Sequence, residues 1–270
     1  MLLLIDAGNT RIKWALADDM TRRARASGAG MPSPRALPQS AGFASNVSDA
    51  DGVEWLGNGV LPVERAGELP LQFSGVQNIQ QIWASNVAGE EVARHIRNIK
   101  TGRVNFIVAK EMQCGVRNGY SNAGQLGSDR WAALIAAWHL VHGKCMVVDC
   151  GTAITIDALS EHGEFLGGLI LPGMELMQRS LAVATDQLRL EPGNYATFPL
   201  NTADALFSGA IQACCGAIER QYALLDDVGT PVVLSGGAAG ILEGRLNVPL
   251  RVVDNLVLQG LSLIARESVA

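Results

Sequence analysis

The stretch Asp6-Ala7-Gly8-Asn9-Thr10 follows directly on the apolar run Leu2–Ile5, and it decides how the fold is interpreted. A second copy of the pattern, Asp149-Cys150-Gly151-Thr152, follows the apolar run Met146–Val148. Each copy predicts a buried strand that ends in a carboxylate, a glycine and a hydroxyl. An ordinary Asp-Gly turn would explain one copy alone. Because the pattern recurs, we predict a nucleotide held between two related half-molecules.

The residue types of these turns suit phosphate binding. Gly8 has no Cβ, so backbone N–H groups can approach an anion closely, and Asn9 and Thr10 add side-chain donors. Phosphate oxygens would repel the Asp6 carboxylate, so we expect Asp6 to hold a hydrated Mg²⁺ that contacts them. A strand pattern continues after each turn. Each copy therefore predicts a β-hairpin that clasps phosphate, and not a strand-to-helix loop.

Composition and missing motifs exclude several classes of protein. A chain of 270 residues that is 48% hydrophobic allows two modest domains or one large one, with buried cores. The net charge of −5 and the pI of about 5.4 argue against a nucleic-acid partner. The five cysteines show no C-x-x-C spacing, which predicts reduced thiols in the cytoplasm. No segment reaches transmembrane length, so no membrane partner is expected, and neither a P-loop nor a dinucleotide fingerprint occurs.

Hydrophobic periodicity predicts an α/β protein. Strands are predicted at 2–6, 11–17, 79–85, 104–109, 145–149, 153–159, 164–171 and 231–234. Helices are predicted at 45–58, 89–99, 128–142, 203–225 and 255–266, and a strand with a loop at 27–42. Three strands followed by a helix recur in each half, so we expect domains at 1–114 and 115–270. The 203–225 helix is apolar nearly all round, which predicts burial on several sides and a homodimer with Thr202 near its interface.

Several motifs together resemble one family. The two turns and Ser235-Gly236-Gly237-Ala238 are similar to the phosphate and adenosine motifs of the actin/hexokinase/acetate-kinase ATPase superfamily. Within it, one combination resembles type III pantothenate kinases: Gly119-Tyr120, Gly127-Ser128-Asp129-Arg130-Trp131, Asp149–Ala153, Gly167–Gly173 and Asn201-Thr202. The resemblance implies two ribonuclease H-like (actin-like ATPase) domains with the active site in the cleft between them. It also implies ATP-dependent phosphorylation of pantothenate to 4′-phosphopantothenate, the first step of coenzyme A biosynthesis, by a homodimer that uses Mg²⁺ with ATP and K⁺ or NH₄⁺.

The resemblance also implies a role for each matching residue. Asp129 is the expected catalytic base, and its place in the first helical turn, after a possible Ser128 cap, favours its ionised form. The residues expected to bind pantothenate are Tyr120, Gly127, Ser128, Asp129, Arg130 and Thr202. The residues expected to bind ATP are Asp6, Ala7, Gly8, Asn9, Thr10, Arg11, Ile12, Lys13, Thr152, Gly236 and Gly237. Asp149 matches the ligand of the monovalent cation, although the same carboxylate could equally help to position Mg²⁺, and Asp6 would hold Mg²⁺ through water.

Plainer interpretations stay open for the same residues. Asp129 could be a simple helix-terminal carboxylate, and Arg130 a surface arginine. Tyr120 could be a packing residue. Thr202 could be a helix cap, because Asn201-Thr202 can cap the helix that follows. Many family members carry no lysine at position 13, so a phosphate contact by Lys13 rests on chemistry alone. Two other functions compete: another small-molecule kinase of the superfamily, and a non-catalytic nucleotide-binding regulator.

Overall fold

The computed structural model describes residues 1–18, 55–99, 102–185 and 188–268. Its strands are β1 Leu2–Ala7, β2 Arg11–Ala17, β3 Trp55–Pro62, β4 Gln81–Asn86, β5 Arg103–Phe106, β6 Met112–Gln113, β7 Val116–Arg117, β8 Cys145–Cys150, β9 Ala153–Leu159, β10 Phe165–Pro172, β11 Val232–Ser235 and β12 Leu250–Val252. Its α-helices are α1 Leu69–Gln72, α2 Glu90–Arg97, α3 Ser128–Val141, α4 Met174–Ala184, α5 Thr202–Ala223, α6 Ala239–Glu243 and α7 Leu256–Glu267.

The chain divides by its internal contacts into two compact units. The first is Met1–Ala136 together with Asn255–Ala270, and the second is Ala137–Asp254. This division falls within α3 and assigns α7 to the first unit, whereas the sequence suggested domains at 1–114 and 115–270. The boundary drawn from the sequence stays a prediction.

The first unit contains a mixed sheet in the order β3-β2-β1-β4-β5. β1, β2 and β3 are antiparallel neighbours, whereas β4 is parallel to β1, and β5 to β4. The side chains buried against this sheet include Leu3, Ile5, Ile12, Trp14, Phe73, Ile82 and Ile96. β1 reads as a continuous apolar run because a central strand is covered on both faces.

The second unit repeats the arrangement. Its sheet has the order β10-β9-β8-β11-β12, with β8, β9 and β10 antiparallel and with β11 and β12 parallel to β8. The buried side chains of its core include Val148, Ile154, Ile156, Ile211, Cys214, Ile218 and Leu234. β8 therefore corresponds to β1. Asp149 occupies the same position in β8 as Asp6 does in β1.

Two helices of the first unit pack backbone against backbone. A Cβ on Gly260 of α7 would lie 1.9 Å from the carbonyl oxygen of Ala132 in α3, so only glycine fits there. The α3 side chains from 131 to 137 are all buried. The start of α3 is thereby held in a rigid part of the first unit.

Most predicted elements are confirmed within a few residues, but one is wrong. The helix predicted at 45–58 is wrong at residues 55–58, which are extended and belong to β3. These residues pair with β2 in an antiparallel ladder. Residue 59 of the same strand is a glycine, and a Cβ there would lie 2.6 Å from Trp14 Cζ2. The rest of that helix and the strand and loop at 27–42 lie outside the described residues. The hydrophobic pattern of the sequence did not predict α1, α4, α6, β6, β7 or β12.

All five cysteines are reduced thiols that form no disulfide. Cys214 and Cys215 pack into the core on α5. Burial raises the pKa of the Cys150 thiol far above its usual range, so this neighbour of Asp149 stays protonated and inert. Within the described ranges, no helix is both long enough and apolar enough to cross a membrane.

Candidate active site

The first hairpin turns at Gly8. The Gly8 N–H donates to the Arg11 carbonyl over 3.0 Å, and a Cβ at position 8 would lie 3.3 Å from that oxygen. Residues 9–10 at the tip are exposed. Half-buried Asp6 lies directly opposite Lys13 in the antiparallel ladder, so the two side chains share one face of the sheet. The predicted hairpin is confirmed, with a carboxylate and an ammonium group beside an open turn.

The second hairpin repeats this geometry with a shorter turn. The Gly151 N–H donates to the Ala153 carbonyl over 3.0 Å, and Thr152 is exposed at the tip. Asp149 is half-buried and lies opposite Thr155, the position that Lys13 occupies in the first hairpin. The two hairpins thus share their carboxylate but differ in the group that faces it.

Two glycines press against the second hairpin. The Gly173 N–H donates to the Thr152 carbonyl over 2.8 Å, and a Cβ on Gly173 would lie 2.3 Å from the Gly151 oxygen. Gly236 has a φ of 100°, and its Cβ would lie 2.5 Å from the Cys150 nitrogen. Both contacts shape the backbone of the turn. A contact of Gly236 or of the exposed Gly237 with adenine stays a prediction.

The helix that carries Asp129 begins one residue after a glycine. The Trp131 N–H donates to the Gly127 carbonyl over 2.9 Å, which closes the first turn of α3. Ser128 is therefore the first helical residue, and the expectation that it caps the helix is wrong. Its hydroxyl oxygen lies instead 2.9 Å from that of Ser85 in β4.

Asp129 is half-buried in the first turn of α3. Its Oδ1 accepts a hydrogen bond from the Arg130 N–H over 2.8 Å. A Cβ on Gly127 would lie only 2.6 Å from the same oxygen. Any side chain at position 127 would displace the Asp129 carboxylate, so the glycine leaves room for the carboxylate.

Arg130 is buried, with a relative exposure of 6%, so the surface-arginine interpretation is wrong. Its Nη1 donates to the Tyr120 hydroxyl oxygen over 3.2 Å. The Tyr120 N–H donates to Asn118 Oδ1 over 3.0 Å, and Asn118 Nδ2 donates to the Ala123 carbonyl over 3.1 Å. The loop before α3 thus holds Tyr120 against the guanidinium.

Thr202 is the first residue of α5, and Asn201 caps that helix. Asn201 Oδ1 accepts from the Asp204 N–H over 2.9 Å, so the interpretation of Thr202 as the cap is wrong. Thr202 is exposed and lines a groove of about 800 Å³ along α4 and α5. The apolar residues of this groove include Met177, Leu181, Leu188, Pro199, Leu200, Ala205 and Leu206.

The sequence analysis did not single out Ser85, and it treated Ser235 only as the start of the adenosine motif. Ser85 is the register partner of Asp6, and Ser235 is that of Asp149. Both serines are buried, at 0% and 3% relative exposure. The signal in the sequence was a serine at the end of an apolar strand. That serine can be placed beside Asp6 or Asp149 only when the neighbouring strand is known.

Comparisons with known proteins point to a single family. A family model described as type III pantothenate kinase matches residues 63–224. A type III pantothenate kinase from Nitrosospira multiformis is 43% identical over 276 residues, which cover 99% of this chain and 92% of the relative.

Two solved structures have a similar fold. One is a Campylobacter jejuni protein described as a Baf family transcriptional activator, with a TM-score of 0.57, 23% identity and 98% of each chain covered. The other is a Sinorhizobium meliloti protein described as a 2-dehydro-3-deoxygalactonokinase, with a TM-score of 0.57, 16% identity and 98% of each chain covered. At these identities the likeness shows the fold alone, which comprises two ribonuclease H-like domains of the actin-like ATPase type. The family model and the full-length relative show that the chain belongs to the type III pantothenate kinase family.

Proposed function

We propose that this chain transfers the γ-phosphoryl group of ATP to the 4′-hydroxyl of pantothenate, the first step of coenzyme A biosynthesis. One observation at the start of α3 carries the proposal. Half-buried Asp129 is followed by buried Arg130, whose Nη1 donates to the Tyr120 hydroxyl over 3.2 Å. A proton acceptor and a carboxylate-binding group therefore lie side by side. The family to which the chain belongs supports the same substrate.

Asp129 is the proposed general base. The positive end of the α3 dipole favours a carboxylate in the first turn over the protonated acid. The ionised group accepts the proton of the pantothenate hydroxyl as its oxygen attacks the γ-phosphorus atom. Gly127 assists by leaving the space that Asp129 Oδ1 occupies, because a Cβ there would lie 2.6 Å away.

Arg130 is the proposed ligand of the pantothenate carboxylate. A planar guanidinium presents paired donors that match the two oxygens of a carboxylate. Tyr120 fixes the guanidinium by accepting from Nη1, and burial reduces the competition from water. Ser128 and Thr202 complete the proposed set of residues that contact the substrate.

The two hairpins are the proposed binding sites of the ATP phosphates. Residues 6–13 supply backbone N–H groups, hydroxyls and the Lys13 ammonium, and Thr152 adds a hydroxyl at an exposed turn. Gly236 and Gly237 are the proposed contacts of the adenosine.

Asp6 is the proposed residue that holds Mg²⁺ through water. Among the described residues, no group of three or more His, Cys, Asp or Glu could hold a metal ion. One carboxylate that shares the ion with phosphate oxygens and water fits the coordination that Mg²⁺ prefers. The bound ion would neutralise charge on the phosphates.

Asp149 is the proposed ligand of a monovalent cation, K⁺ or NH₄⁺. In the first hairpin the group opposite the carboxylate is the Lys13 ammonium, whereas Thr155 occupies that position in the second. A bound cation would supply there the positive charge that lysine brings to the first hairpin. It would then strengthen the binding of ATP phosphates near Thr152.

A second copy of this chain is the proposed occupant of the groove along α4 and α5. In a single chain α5 buries one side, which carries Ile211, Cys214 and Ile218, and leaves Gly209 and Ala213 exposed. The loop before it exposes Phe198 by 86% and Leu200 by 99%. Apolar side chains this exposed are typical of a protein–protein interface. The expectation that α5 is buried on several sides is met only in such a dimer, which would place Thr202 near the interface.

The proposed location is the cytoplasm, where thiols such as the five free cysteines stay reduced. The reaction is tested by measuring ADP release from ATP with and without pantothenate. Release that depends on pantothenate supports the proposal. Release that depends only on another acceptor would indicate a different kinase of the superfamily. ATP binding without turnover of any acceptor would indicate a nucleotide-binding regulator.

A further inference from the structure

We infer that Ser85 is a positioning residue for the catalytic base: its hydroxyl holds the first turn of α3, and with it Asp129, beside the strand that carries Asp6. The inference rests on the proposed function, because it assigns Ser85 a part in placing the acceptor's base. Neither of the two phosphate-binding hairpins includes Ser85.

Ser85 lies beside the nucleotide-binding carboxylate. It is wholly buried near the carboxyl end of β4, and its register partner in the parallel ladder is Asp6 of β1. Register partners in a sheet point their side chains to the same face. The hydroxyl of Ser85 therefore projects from the same face of the sheet as the Asp6 carboxylate.

The contact of Ser85 reaches the start of α3. Its hydroxyl oxygen lies 2.9 Å from that of Ser128, which is 43 residues away in the sequence. Ser128 directly precedes Asp129, and it is the Gly127 carbonyl, not the Ser128 hydroxyl, that closes the first turn. The Ser128 hydroxyl thus links the helix to the sheet. Ser85 is wholly buried and Ser128 is half-buried, so the Ser85 hydroxyl has few alternative partners and fixes the orientation of the turn.

The internal repeat shows that the chain after the buried serine differs between the two units. Ser235 is the counterpart of Ser85 and is likewise buried beside a carboxylate, Asp149. In the second unit the chain continues into Gly236, whereas in the first it continues into Asn86. The Asn86 side chain accepts from the Ala88 N–H over 3.1 Å, which turns the chain away towards α2. In the first unit the buried serine contacts Ser128 at the start of the helix that carries the base.

The experiment compares Ser85→Ala, Ser128→Ala and the double variant with the wild type. A neutral hydrogen bond contributes about 0.5–1.5 kcal/mol, so kcat should fall about two- to tenfold in Ser85→Ala while the KM for ATP stays unchanged. Ser128→Ala also removes the proposed contact of Ser128 with the substrate, so it should be the slower single variant. The double variant should be no slower than Ser128→Ala, because Ser85 acts only through the Ser128 hydroxyl. Peptide hydrogen exchange over residues 126–134 should become faster in Ser85→Ala. Ser262→Ala is the matched control, because it removes a buried hydroxyl for which the described part of the first unit offers no hydrogen-bond partner.

The two readouts separate the inference from the proposed function. Unchanged exchange over residues 126–134 in Ser85→Ala would overturn the positioning role, whatever the activity of the wild type. Additive losses of kcat in the double variant, or an equal loss in Ser262→Ala, would also overturn it. A wild type without pantothenate-dependent ADP release would instead overturn the proposed function, while faster exchange in Ser85→Ala would still support the link between Ser85 and α3.

Discussion

The backbone of Gly236 lies against the backbone of Cys150, so closely that a Cβ on residue 236 would come within 2.5 Å of the Cys150 nitrogen. The Ala238 N–H also donates to the Cys150 carbonyl over 3.1 Å. The turn that follows β11 is thereby packed onto the residue that precedes Gly151. An adenosine-binding turn and a phosphate-binding turn that touch in this way would act as one unit.

The first prediction concerns this contact. Gly236→Ala should lower the free energy of unfolding by at least about 1–3 kcal/mol, since the backbone has a φ of 100° and the methyl group would overlap Cys150. The KM for ATP should rise because the Gly151 turn would shift. Melting temperature and ATP kinetics measure the two effects. Gly240→Ala is the control, since a Cβ at that position meets nothing within 4 Å. A Gly236→Ala variant as stable and as active as the wild type would show that the contact is unimportant.

The second prediction concerns the base. Asp129→Asn keeps the shape of the side chain but removes its charge and its basicity, so kcat should fall by about 10²–10⁴-fold with little change in the KM for ATP. Glu91→Gln removes an exposed carboxylate from the first turn of α2 and serves as the control. A helix-terminal carboxylate without a catalytic role contributes only about 0.3–1 kcal/mol of stability. A kcat within about threefold of wild type would remove Asp129 from the mechanism.

The third prediction concerns recognition of the substrate carboxylate. Arg130→Lys loses the planar pair of donors, and a hydrogen bond to a charged group contributes about 1.5–3 kcal/mol. The KM for pantothenate should therefore rise about 10- to 100-fold. Pantetheine, which lacks the carboxylate, should be a poorer acceptor for the wild type and should lose little further in the variant. An equal rise in KM for pantothenate and for pantetheine would show that Arg130 does not bind the substrate carboxylate.

The fourth prediction concerns the monovalent cation. Replacing K⁺ by Na⁺ should raise the KM for ATP, and Asp149→Ala should weaken ATP binding more than pantothenate binding. Glu161→Ala removes one exposed negative charge from the same unit and controls for the change in net charge. Calorimetric titration of ATP in each salt measures the affinity directly. Equal affinity in K⁺ and Na⁺ would contradict a cation site at Asp149.

The fifth prediction concerns the homodimer. Gly209 is exposed in the groove on α5, and a Cβ there meets nothing within 4 Å. Gly209→Arg should fold but lose the dimer, because a long charged side chain would fill the groove. Gly209→Ala should keep the dimer and gain about 0.5–1 kcal/mol of stability from its higher helix propensity. Light scattering separates the two variants, and a dimeric Gly209→Arg would place the interface elsewhere.

Features that depend on neighbours in the chain were predictable from the sequence. Both hairpins follow from a carboxylate and a glycine after an apolar run, and α3 and α5 follow from their periodicity and from the Asn201 cap. These patterns are local, because a turn or a helix is decided by residues within a few positions of one another. The family resemblance rests on the same short motifs.

Features that depend on distant residues were not predictable. The extended backbone at 55–58 follows from its pairing with β2, and the partner of the Ser128 hydroxyl lies in β4. The sequence by itself determined which residues are proposed to carry the chemistry: two acid-glycine turns, a helix-terminal aspartate and an arginine beside it. Only the tertiary structure decided that β4 runs parallel to β1, which brings Ser85 beside Asp6 and against the start of α3. Parallel strands are joined by long connections, so their register is settled by packing between residues far apart in the chain and leaves no local pattern.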